Sequence, residues 1–133
     1  MIDESEQLER LRGSMSKAVE KGEFEPYLQF VVDRAGTVVG AETVSRWQNP
    51  EEGLLMPSKY IDLMIRAGTI TELDLYMLRC ACVQLQTWKR EGRGTLWLSC
   101  NFTRQSIADE KILARVHEIV EQYDLRATAL WWS

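Results

Sequence analysis

Three residue types at informative positions invite a chemical reading: Glu42, Arg46 and Asn101. A strand over Thr37–Trp47 would put Val38, Gly40, Glu42, Val44 and Arg46 on one face, because side chains alternate sides along a strand. A carboxylate and a guanidinium then sit two pleats apart on the same side, and the amide of Asn101 ends a neighbouring strand. Together they supply an acceptor, a permanently charged fork of donors, and a group that both donates and accepts. Polar groups pointing inward at the C-terminal ends of strands are where α/β barrels place their chemistry. The same spacing also describes an ion pair on an edge strand facing water, and spacing alone leaves both readings open.

The other reactive residue types read as structural. His117 lies between Val116 and Val120 with no second His or Cys at ligand spacing, which suits a helix surface. Cys80, Cys82 and Cys100 are too few and too oddly numbered for a disulfide framework and read as reduced thiols. Lys89, Arg90 and Arg93 suit the end of a helix, where the dipole favours cations. Trp47, Trp88 and Trp97 fall in core-like patterns. Lys and Arg sum to 16 against 20 Asp and Glu, a net charge of −4 and a pI near 5.1. That balance argues against a nucleic-acid polymer or an anionic membrane as partner. The acidic start Met1–Glu6 lacks the basic-then-apolar order of a secretion signal, and no run approaches the ~18 apolar residues of a membrane span. The expectation is a cytoplasmic protein without membrane insertion.

A chain of 133 residues holds one domain around one core. Leu8, Leu11, Met15, Ala18 and Val19 recur at helical spacing over residues 4–20. Alternation then predicts strands over Phe24–Asp33 and Thr37–Trp47, an antiparallel pair around Ala35-Gly36. Asn49–Gly53 reads as a loop. Pro57 opens a short helix with Tyr60, Ile61, Met64 and Ile65 on one side and Gly68 past its end. Thr71 is the expected cap of a third helix, with Asp74 three residues on, and Leu73, Leu75, Met77, Leu78, Cys82, Leu85 and Trp88 carry its apolar face. A strand over Thr95–Asn101, a turn over Thr103–Ala108, a helix over Glu110–Tyr123 and a strand from Ala127 to Trp132 complete the order. Alternating helices and strands predict an α/β fold with strands buried on both faces.

The segments Gly22–Gln29, Val31–Asp33 and Val39–Pro50, with Glu42-Thr43-Val44 followed by Arg46-Trp47, closely resemble the opening of the EAL domain. That bacterial family hydrolyses cyclic di-GMP. The resemblance continues through Gly53–Pro57, Ile70–Asp74 and Leu98–Gln105, a collinear series over residues 8–125. Residues 1–7 form an acidic lead and 126–133 a divergent end. The resemblance implies about half of a TIM-type (β/α) barrel, with its first strand antiparallel to the second. It also implies that Glu42 and Asn101 are oxygen ligands of a hard cation, magnesium or manganese. Arg46 then contacts a phosphate of the dinucleotide, while Gln29 and Val44 line the same pocket.

The chain departs from the family at several points. The Glu-Ala-Leu signature is here Glu42-Thr43-Val44, Phe30 stands where Pro is usual, and Met64–Ala67 replaces an acidic stretch. The next family ligand, a glutamate, would fall at about Ser133, and the later Asp pair and lysine have no counterpart in these residues. Two-metal hydrolysis needs more than one carboxylate and one amide, so no complete catalytic set is expected here. Three function classes follow: a phosphodiesterase completed from elsewhere, a non-catalytic module binding cyclic di-GMP or a protein partner, and an inert truncated product. An unclosed sheet predicts self-association in each case.

Overall fold

The computed structural model describes residues 3–126 and 128–132. Met1, Ile2, Ala127 and Ser133 lie outside the described residues, and with them the position expected for the next glutamate. Helix α1 spans Glu4–Glu20, so residues 4–7 of the acidic lead are its first turn. The Asp3 carboxylate accepts from the Glu6 backbone N–H at 2.8 Å, satisfying a donor that the first helical turn leaves open.

Strand β1 (Phe24–Val32) pairs antiparallel with β2 (Val38–Asn49), as the alternation implied. In the turn between them the Asp33 carboxylate accepts from the Ala35 and Thr37 N–H groups, and Gly36 takes φ +84, which a side chain would resist. The loop expected over Asn49–Gly53 is a turn at residues 50–52, and a short strand that was not expected follows it. The Asn49 amide oxygen accepts from the Glu51 and Glu52 N–H groups at 2.9 and 3.0 Å, and the chain folds back as β3 (Gly53–Leu55) antiparallel to the end of β2. Three residues are too few to show alternation, so this strand left no pattern in the sequence.

A 3-10 turn at Pro57–Lys59 leads into α2 (Ile61–Ala67) and α3 (Ile70–Arg90). Tyr60 and Met64 are fully buried, but Ile65 turns outward and is 38% exposed. The tighter 3-10 turn ahead of α2 breaks the single helical periodicity on which the expected face was drawn. The proposed cap at Thr71 also fails. Helix α3 begins two residues earlier than a Thr71 cap implies, at Ile70 behind Thr69, and Asp74 turns into the interior. All seven residues assigned to its apolar face are buried. The remaining elements are β4 (Trp97–Cys100), α4 (Arg104–Ile107), α5 (Ile112–Val120) and β5 (Leu130–Trp132), each shorter than its sequence pattern suggested.

The sheet order is β1-β2-β4-β5, with β2, β4 and β5 mutually parallel. Helices cover one face. Ala41 and Leu98, both fully buried, share a core with Leu78, Cys82 and Leu85 of α3 and with Ile112 and Ile119 of α5. A second core joins α1 to α2 around Phe24, Trp47 and Tyr60, whose rings lie 5.1 to 5.9 Å apart. The expectation of burial on both faces is overturned: on the other side Gln29 and Glu42 are exposed, Tyr27 is 39% exposed and Trp131 52%. A barrel shields its interior by closing on itself, and these strands reach only part of the way round.

Candidate functional site

Strand register arranges the open face in rows. Gln29 stands beside Glu42, Glu42 beside Ser99, and Ser99 beside Trp131. One pleat towards the C-terminal end of β2, Tyr27 faces Val44, and one pleat further Glu25 faces Arg46. In the opposite direction Val31 faces Gly40, which in turn faces Trp97. Asn101 directly follows the last residue of β4, so its backbone leaves the sheet one pleat above Ser99.

The helix side holds these rows in place. Thr43 Oγ1 donates to the Ser99 carbonyl at 2.7 Å, the Ser45 hydroxyl bonds the Tyr60 hydroxyl at 2.7 Å, and Trp47 Nε1 donates to Glu23 at 3.0 Å. Each anchors an odd-numbered residue of β2 into the core, which leaves Glu42, Val44 and Arg46 for the open face. Burial raises the Tyr60 hydroxyl above its ordinary value, against the lowering effect of the Ser45 bond and the Arg46 charge. The hydroxyl therefore stays protonated at neutral pH.

Arg46 lies over the Tyr27 ring, 5.6 Å from its centre, and one Nη donates to the Ser45 carbonyl at 2.7 Å. That contact orients the guanidinium and leaves its other donors for an anion. Glu42 and Arg46 form no ion pair among the described residues. Strand β2 has neighbours along both edges, so the edge-strand reading of these two residues does not hold.

Asn101 lines a cavity of about 230 Å³ with Thr43, Val44, Asp74 and Thr103, between the ends of β2 and β4 and helix α3. Asp74, 8% exposed, accepts from the Thr103 N–H and hydroxyl at 3.0 Å each and from the Ser106 hydroxyl at 2.6 Å. Burial raises its carboxyl above the ordinary value, and the bonds from Ser106 and Thr103 pull the other way. In the row of Glu42, the Ser99 hydroxyl is buried and has no partner among the described residues. Sequence patterns gave Asp74 only a capping role beside Thr71 and put Ser99 on the face of Asn101 by parity, without marking either as a site residue. Glu25 and Tyr27 were legible only once the hairpin register was known.

The reactive groups set aside in the sequence behave structurally. Burial pushes the Cys82 thiol up to about 11 and Cys100 to about 12, which keeps both protonated and inert. His117 is exposed on α5 and lies 2.7 Å from Glu121 one helical turn away. Lys89 binds the Asp124 carboxylate at 2.9 Å and its carbonyl at 3.1 Å. Trp47 and Trp88 pack in the cores, whereas Trp97 lies half-buried against Gly40 on the open face, beside Trp131 at 5.4 Å.

The family model for the EAL domain matches residues 12–132. The chain belongs to the EAL domain family. An uncharacterized protein of Mycobacterium tuberculosis is 30% identical over 122 residues, covering 90% of this chain and 40% of that protein. A structure of the PaMucR phosphodiesterase in complex with c-di-GMP superposes with a TM-score of 0.84 at 22% identity, covering 92% of this chain and 50% of that one. The FimX EAL domain of Xanthomonas citri, in complex with c-diGMP, gives 0.76 at 21% identity over 97% of this chain and 50% of that one. This EAL domain therefore spans about half the length of the relatives it matches, and its fold is the corresponding part of theirs. It is related to cyclic di-GMP phosphodiesterases and cyclic di-GMP-binding EAL proteins. No helix among the described residues is long and apolar enough to cross a membrane, and no group of three or more His, Cys, Asp and Glu side chains among them could hold a metal ion.

Proposed function

We propose that these 133 residues form a cyclic di-GMP-binding surface of the cytoplasm that does not by itself hydrolyse the dinucleotide. The observation that carries this reading is the oriented Arg46 guanidinium at the C-terminal end of β2, on the same face as Glu42 and beside the strand that delivers Asn101. Arg46 supplies the phosphate contact, a task for which its fixed, always-charged fork suits it. Gln29 and Val44 flank the same rows and border the ligand.

Magnesium accepts one or two carboxylates, keeps several waters and takes further oxygens from phosphate. Glu42 and the Asn101 amide oxygen fit one such ion, magnesium or manganese, completed by water and ligand phosphate. The set does not fit a two-metal cluster, which needs a metal-activated nucleophile together with a clamp on the leaving oxygen. When bound, the ion would neutralise phosphate charge beside Arg46.

The open sheet also supports self-association. Strands β1 and β5 each have one unpaired edge among the described residues, and Trp131 and Trp132 are both 52% exposed. For these residues by themselves, a second copy or another protein would cover that surface.

Calorimetric titration with cyclic di-GMP, with and without magnesium, followed by a turnover assay, tests the reading. Saturable binding without turnover is expected. Turnover above a buffer control that disappears in Asn101→Ala, or no binding at all, would refute it.

A further inference from the structure

We infer that Asp74 is a positioning residue for the Asn101 amide, acting from helix α3 through the short link that joins β4 to α4. The inference rests on the proposed role of Asn101 as a site residue. Only Asn101, Phe102 and Thr103 separate the last residue of β4 from the first of α4. At one end this link is held by the sheet, through the pairing of β4 with β2 and β5. At the other end Thr103 is held by Asp74, which accepts from both its N–H and its hydroxyl. Ser106 adds a third donor to the same Asp74 oxygen, and its hydroxyl oxygen also lies 3.0 Å from the Thr71 hydroxyl on α3.

The restraint is directional. Helix α3 packs against β4 through its buried apolar face, so Asp74 rides on a rigid element rather than a loop. A carboxylate oxygen that accepts three hydrogen bonds places the Thr103 nitrogen within a narrow range, and one residue separates Thr103 from Asn101. Phe102, between them, packs edge-on against Trp132 at 5.5 Å and limits rotation of the link. Without Asp74 the Thr103 N–H and the Ser106 hydroxyl lose an acceptor in a mostly buried site, and the link gains freedom where the amide must be aimed. Asp74 and Asn101 also border the same cavity, so movement of either reshapes it.

The chain contains two asparagines, Asn49 and Asn101, so selective nitrogen-15 asparagine labelling gives two side-chain amide signals, one of them an internal control. In ligand-free protein, Asp74→Ala should shift and narrow the Asn101 amide pair towards free-rotor values while Asn49 stays in place. Asp74→Asn, whose amide oxygen can still accept and whose own side chain adds a third labelled amide signal, should return the Asn101 signal to most of its original position. Manganese ion is the probe for the site: its affinity, read by paramagnetic broadening of the Asn101 signal, should fall about tenfold or more in Asp74→Ala. If Asp74→Ala does not fold, Thr103→Val removes one donor to Asp74 and should move the Asn101 signal in the same direction by less. Unchanged Asn101 signals in a folded Asp74→Ala or Thr103→Val protein would overturn the inference. If manganese leaves the wild-type Asn101 signal untouched, the proposed cation site fails instead, and the positioning role is decided on the ligand-free spectra.

Discussion

Adding one methyl group at Gly40 tests how the open face is built. A Cβ there would lie 2.3 and 2.5 Å from two carbons of the Trp97 indole and 2.6 Å from the Trp97 carbonyl oxygen. The indole can swing away, but the carbonyl belongs to the β2–β4 pairing, in which Gly40 and Trp97 are register partners. Overpacking of this kind costs about 1–3 kcal/mol, and the backbone contact puts Gly40→Ala in the upper part of that range. For a domain of 133 residues each kcal/mol lowers the melting temperature by about 3–5 °C, so a fall of roughly 6–15 °C is expected. Differential scanning calorimetry measures it, and tryptophan fluorescence should change as Trp97 is displaced from Trp131, now 5.4 Å away. In a double-mutant cycle with Trp97→Leu the penalty should shrink without vanishing, because the carbonyl contact remains. A melting temperature within 2 °C of wild type, with unchanged fluorescence, would refute the close approach of Gly40 to Trp97.

Other substitutions and conditions give separate tests. Arg46→Ala should weaken cyclic di-GMP binding by about 1.5–3 kcal/mol, roughly 10- to 150-fold by calorimetry, and Arg46→Lys should recover only part because it lacks the planar fork; equal affinity in all three proteins would remove Arg46 from the site. Asp74 has a folded-state carboxyl raised above its ordinary 3.8, so its contribution to stability is fully present below that value and is lost as pH rises through the folded one. The stability of wild type relative to Asp74→Asn, from denaturant melts at several pH values, should therefore grow as the solution is acidified, and a flat difference would contradict the burial argument. Sedimentation velocity at micromolar concentration should show concentration-dependent association through the open sheet; a monodisperse monomer with a sharp thermal transition would show that the half-barrel shields its own interior.

Local chemistry determined most of the elements. Apolar residues at helical spacing placed α1 within the observed Glu4–Glu20 and marked the buried face of α3 residue by residue. Alternation placed the β1–β2 hairpin and, with it, the side of β2 that carries Glu42, Val44 and Arg46. Such features are legible because a helix or strand repeats its environment at a fixed period, so each residue reports on its neighbours. The short pieces escaped: β3 and α4 have three and four residues, less than one clear repeat.

The family, the order of the longer elements and the parity of the site residues were thus legible along the chain. Tertiary structure decided the contacts between elements that are distant along the chain. Thr71 and Asp74 have the spacing of a capping box, but the carboxylate turned instead to Thr103 and Ser106, about 30 residues away, because a dry interior rewards three hydrogen bonds over one at a wet helix end. Trp97 fits a core pattern, yet it came to rest on Gly40 at the open face, where a residue without Cβ left room for a ring. Parity alone puts Trp97 on the face of Asn101, but neither its seat on Gly40 nor the partners of Asp74 could be read from spacing, since both depend on which elements stand side by side once the sheet assembles.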